Sequence, residues 1–68
     1  MTQSIQIRVA HPSPRFSGER TFYITEDKDG LFAASCSNFG SSRFYSRAID
    51  AVLSLVEDNG GSEERIVR

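Results

Sequence analysis

Most of what equips a small protein for chemistry is missing from this chain. Its 68 residues include one cysteine, Cys36, and one histidine, His11. A single thiol forms no internal disulfide, and secreted domains of this size usually rely on such bridges, so a cytoplasmic setting is expected. Neither residue has the partner spacing of a Ser-His or Cys-His nucleophile, so His11 reads as a loop residue and Cys36 as a small buried hydrophobe. The carboxylates Glu26, Asp27 and Asp29 lack the remaining positions of a calcium loop and read as a solvated hairpin tip. Gly40 precedes Ser41 and Ser42, but the Gly-Lys-Ser/Thr ending of a phosphate loop is absent. These gaps point away from an enzyme and give no reason to expect a metal or cofactor. No run approaches the ~18 apolar residues of a membrane span, and the opening residues lack the basic and apolar regions of a secretory signal. Neither membrane insertion nor export is expected.

Lysine is also scarce: Lys28 stands alone against seven arginines. Arginine suits bidentate contacts with phosphate or carboxylate and is enriched among interface hot spots, although a GC-rich genome produces the same bias. Net charge is only -1, with 38% apolar and 25% charged residues, the composition of an ordinary folded domain. Near-neutrality argues against an indiscriminate nucleic-acid coat while leaving room for a local basic patch. A chain this short holds one domain, here residues 1–68, whose core rarely contributes more than about 3–5 kcal/mol of net stability.

Ile5, Ile7 and Val9 alternate with Gln6 and Arg8, the period of a half-buried strand over roughly residues 3–10. Two prolines and a glycine in 11–18 break regular structure and predict a projecting loop. Alternation resumes in 21–25, and the Asp27-Lys28-Asp29-Gly30 turn, with its glycine at positive φ, returns the chain as a strand over 31–36. In that register Phe22, Ile24, Phe32, Ala34 and Cys36 share the buried face, and Tyr23 points away from it. Tyr45, Ala48, Ile49, Val52, Leu55 and Val56 then recur at helical spacing, widened by Phe44 and Leu53, with Ser41 or Ser42 as the expected N-cap. Asn59-Gly60-Gly61 stops the helix. Residues 62–68, with Ile66 and Val67, form either a loose tail or a short further strand. The expected fold is α+β: an antiparallel sheet of three or four strands, in the order β-β-β-α(-β), with one helix packed on one face.

The helix predicted in this way carries its charges the wrong way round. Arg43 and Arg47 fall in the first turns and Glu57 and Asp58 in the last, against a helix dipole worth ~0.3–1 kcal/mol per charge. One account is a solvated face with random charge order. The other is an anion site, in which free N–H groups after Ser42 and the two arginines receive phosphate or a partner's carboxylate.

From Pro14-Arg15-Phe16 through the strands to Gly40-Ser41-Ser42-Arg43 and the helix ending Ala51-Val52-Leu53-Ser54-Leu55, the order resembles the last three strands and final helix of double-stranded-RNA-binding domains. That resemblance implies phosphate contacts from the start of the helix, at Arg43 and Arg47. The same block, with Gly30-Leu31-Phe32-Ala33-Ala34-Ser35 as its second strand and the Ala48-Ile49 pair in its helix, is similar to the partial RNase-H-like part of HicB-type antitoxins. In size and style the chain also resembles phage and mobile-element inhibitors, including anti-CRISPR proteins. These resemblances imply a small protein that blocks or sequesters a protein partner, with a phosphate-directed nucleic-acid binder as the alternative. Candidate contact residues are Arg15, Phe16, Tyr23, Arg43 and Arg47, Phe16 having the alternative of covering the open end of the core. An edge strand offers a route to a homodimer.

Overall fold

A computed structural model describes residues 3–64. It shows β1 (Gln3–Ala10), β2 (Gly18–Glu26), β3 (Phe32–Cys36), β4 (Gly40–Ser41), α1 (Ala48–Asp58) and β5 (Ser62–Glu63). All the strands pair antiparallel, in one sheet of five with the order β4-β3-β2-β1-β5. The α+β class and the single helix agree with expectation; the count of three or four strands does not. The two additions are two-residue strands, too short to show a periodicity of their own. Ile66 and Val67, the expected further strand, lie outside the described residues, while Ser62 and Glu63 just before them do pair with β1.

Alternation decides which side of the sheet is filled. Val9, Phe22, Ile24, Ala34 and Cys36 are buried on the inner face, and Phe39, Ala51, Val52, Leu55 and Val56 close over them. Ile5, Ile7, Phe16, Phe32, Tyr45 and Ala48 pack against this core while staying partly exposed. Tyr23 lies between Phe22 and Ile24 in sequence and therefore faces outward, 54% exposed. The β2–β3 hairpin turns as expected: Gly30 has φ +78, and the Asp27 carboxylate accepts the Asp29 and Leu31 N–H groups at 2.8 and 3.0 Å.

The helix begins later than its apolar stripe suggests. Its N-cap is Arg47, in extended conformation and without a side-chain cap, so neither Ser41 nor Ser42 has that role. The segment before it is held as strand instead, with Phe32 and Tyr45 exchanging backbone hydrogen bonds of 2.7 Å in both directions. Tyr45 packs against the core from this extended segment, and its spacing from Ala48 and Ile49 fits a helical stripe as well, so periodicity alone does not discriminate between them. The later start also changes the charge arrangement. Asp50 occupies the first turn, with the favourable sign, and Arg43 is not helical; the last turn has no basic residue, as expected.

The end of α1 is closely specified. The Gly61 N–H donates to the Val56 carbonyl and the Gly60 N–H to the Glu57 carbonyl, the paired bonds of a Schellman cap, with Gly60 at φ +86. The Asn59 side-chain amide donates to the Leu55 carbonyl at 2.8 Å. His11 ties the β1–β2 loop to this end. Its Nδ1 accepts the Ser13 N–H at 2.9 Å, so its Nε2 carries the hydrogen donated to the Asn59 carbonyl at 2.7 Å. His11 is therefore a loop residue with a structural task, joining segments 48 positions apart.

Candidate binding surface

The helix covers one face of the sheet, and among the described residues no element covers the other. That outer face is set out in cross-strand rows: Arg8 beside Glu19 and Gln6 beside Thr21, Ser4 beside Tyr23, then Ser35 and Ser41. Thr25 stands beside Ala33 in the next row. Most of these side chains are small or polar. Arg8 and Glu19 form a loose ion pair at 3.8 Å, and Gln6 donates to Glu19 at 3.2 Å, so this end of the face is close to neutral.

A bulge brings a second aromatic to the face. Ser42 is bonded opposite Ala34 and Tyr45 opposite Phe32, so Arg43 and Phe44 together stand opposite Ala33. The extra residue turns Phe44 outward, the kind of re-aiming that bulges produce. Without it, alternation would put Phe44 on the inner face. Ser42 holds the distortion in place: its Oγ accepts the Ala34 N–H at 2.9 Å and donates to the Arg43 carbonyl at 2.7 Å. Replacing Ser42 with Ala leaves the Ala34 N–H without this acceptor, so Ser42→Ala is expected to cost about 1 kcal/mol. Amide exchange checks this, with Ala34 accelerating more than Ile24 on the neighbouring strand.

Phe44 is 48% exposed, and it and Tyr23 are the exposed large hydrophobics among the described residues. Their Cα positions are two strand spacings and one side-chain repeat apart, about 12 Å. Thr25, Ala33, Ser35 and Ser41 lie on the same face, and together with Phe44 they line a shallow depression of about 250 Å³. Small residues thus form a floor bordered by Phe44, with Tyr23 standing in the next row. Glu26, Asp27 and Asp29, against the single Lys28, sit on the adjacent hairpin tip and make that end of the surface acidic.

The remaining candidate residues are dispersed. Arg15 lies over the Phe16 ring at 5.8 Å, on the β1–β2 loop. Phe16 continues inward through Phe39 and Phe22, with ring centroids 5.6 and 5.8 Å apart, so its ring serves the core in the manner of the covering alternative. The Arg20 guanidinium donates to the Arg15 carbonyl. Arg43 is on the bulge beside Phe44, and Arg47 is the exposed N-cap of α1. The anion site imagined after Ser42 therefore does not form as expected, because the helix starts at Ala48. Phe44, which the sequence places on the helix stripe, is the surface residue that sequence reasoning missed; the strand-like pairing of Tyr45 is what displaces it, and no periodic signal marks that. Among the described residues no three His, Cys, Asp or Glu side chains converge as metal ligands, and Cys36 is buried. Comparison with protein-family profiles, with curated proteins and with solved structures finds no match for this chain.

Proposed function

We propose that this protein is a non-catalytic binding module that blocks or sequesters a protein partner through the bare outer face of its sheet, in the way of phage and mobile-element inhibitors or antitoxin-like modules. The observation that supports this most directly is the exposure of Tyr23 and Phe44, 54% and 48%, on one face with a floor of small residues between them. Aromatics that keep two χ angles and little entropy to lose are the usual anchors of protein interfaces. The partner's matching surface is apolar at its centre, with donors for the serine hydroxyls around it.

The second reading is phosphate-directed nucleic-acid binding, with Tyr23 and Phe44 as stacking platforms and Arg43 as the backbone contact. Arg43 beside Phe44 is the feature in its favour. The acidic hairpin tip at the same end opposes it, since a polyanion crossing Thr25 meets Glu26 and Asp27.

The test compares the wild-type chain with the Tyr23→Ala/Phe44→Ala variant in capture from nuclease-treated host lysate, followed by titration of the captured protein. Both side chains are exposed, so the variant is expected to melt near the wild-type temperature. Loss of two anchors is expected to weaken partner binding by about 2 kcal/mol or more, some 30-fold. Equal binding by the variant would remove the outer face from the interface. Retention of nucleic acid, with affinity falling steeply as salt rises, would move the conclusion to the second reading.

A further inference from the structure

The two edges of the sheet differ in length and in protection. On one edge, β4 is only two residues long and runs into the bulge at Arg43 and Phe44, both recognised protections against strand addition. On the other, β1 pairs with β5 only at Val9 and Ala10. Among the described residues, the bond furthest along that edge is from the Glu64 N–H to the Arg8 carbonyl at 2.8 Å. In an antiparallel strand the N–H and C=O of a residue point the same way and alternate from residue to residue. Ser4 and Gln6 share the parity of Arg8, so their backbone groups face outward, without a strand partner among the described residues. From Gln3 to Ile7 this edge has no charge, proline or glycine and no bulge in its pairing with β2.

We infer that this edge pairs with the same edge of a second copy of the chain, in an antiparallel register centred on Ile5. The bond to Arg8 sets one limit of the edge left unpaired among the described residues, and the register centred on Ile5 is the one that uses Gln3–Ile7 in full. It sets Ser4 opposite Gln6 of the second copy, and Gln6 opposite its Ser4, as pairs that exchange both N–H···O bonds. Ile5 meets Ile5 across the axis on the inner face, where Ile5 and Ile7 are only partly covered by their own core. No like charges oppose one another. A neutral strand that is self-complementary in hydrogen bonding and in apolar side fits its own copy, and the two sheets continue as one.

The test is the oligomeric state of the full chain, by light scattering and sedimentation over a concentration series. The wild type is expected to reach twice the 7.6 kDa of one chain at high micromolar concentration and to dissociate on dilution, since an edge-only contact falls below about 1,200 Å². Ser4→Lys/Gln6→Lys sets lysine against lysine at both pairs, and is expected to raise the dimer Kd about tenfold. Ser4→Glu/Gln6→Lys sets opposite charges there and is expected to return the Kd to the wild-type value or below it. Ser4 and Gln6 are both exposed, and helix content by circular dichroism checks that each variant is folded. A wild type that stays monomeric overturns the inference, as does a dimer in which the two variants behave alike.

Discussion

Phe22→Ala is expected to leave the chain unfolded at room temperature. Phe22 is the largest of the fully buried side chains, on the strand flanked by both β1 and β3. It stands beside Ile5 across the β1–β2 ladder, and its ring contacts Phe39, the inner end of the line that runs through Phe16 to His11. Truncating a buried phenylalanine typically costs about 3–5 kcal/mol, from lost transfer energy and the cavity left behind. Domains of this size seldom have more than about 3–5 kcal/mol in total. The loss therefore consumes most or all of the margin, and a flat thermal melt by circular dichroism is the expected result. Phe22→Leu, which keeps most of the volume, is expected to retain a cooperative melt at lower temperature. A folded alanine variant with near-wild-type melting would show that the sheet and helix are held together elsewhere.

The second large effect is expected at Gly61. A Cβ there would lie 3.2 Å from the Ala10 carbonyl oxygen, from Val56 Cγ1 and from Val9 Cγ1. Val9 and Val56 are both fully buried, and the Ala10 carbonyl is fixed backbone, so the added carbon is accommodated only if β5, β1 or the helix gives by a few tenths of an ångström. Overpacking of this kind costs typically about 1–3 kcal/mol, a large part of this domain's margin. The expected result for Gly61→Ala is a clear fall in melting temperature, with the Glu64 amide, bonded to the Arg8 carbonyl, losing exchange protection first. Ser62→Ala, one residue on and exposed, is expected to stay within about 0.5 kcal/mol of wild type. Equal effects at the two positions would mean that β5 is not pressed against the core by this turn.

Both predictions depend on the junction where helix, first strand and last strand meet, and that junction shows the division between sequence and tertiary structure. Asn59-Gly60-Gly61 is legible as a stop, because a positive φ past a helix end favours glycine for local steric reasons. That Gly60 takes the left-handed position, and that Gly61 is small because a strand and a helix close on it, depends on elements far apart in sequence. The same holds for His11, whose bond to Asn59 no local pattern announces.

Much of the framework was local in origin. Alternation over β1 to β3, the Asp27–Gly30 turn, the face shared by Phe22, Ile24, Ala34 and Cys36, the outward Tyr23 and the stripe from Ala48 to Val56 all follow from side-chain period and turn chemistry acting within a few residues. The start of the helix, the two short edge strands and the outward Phe44 did not. Between Ser42 and Tyr45 the apolar spacing is compatible with a helix as well as with a strand, and the backbone hydrogen bonds to Phe32 and Ala34 hold the extended form. That choice carried Arg43 off the helix, moved the helix N-terminus away from Ser42 and put an aromatic on the open face. Sequence alone determined most of the buried face of β2, β3 and α1, since burial there follows a period that each element carries within itself; Phe39 and Ala51, buried off the expected faces, had no such signal. Tertiary structure decided that Phe44 is presented beside Tyr23, because its exposure depends on the pairing that Ser42 and Tyr45 make across the sheet with Ala34 and Phe32.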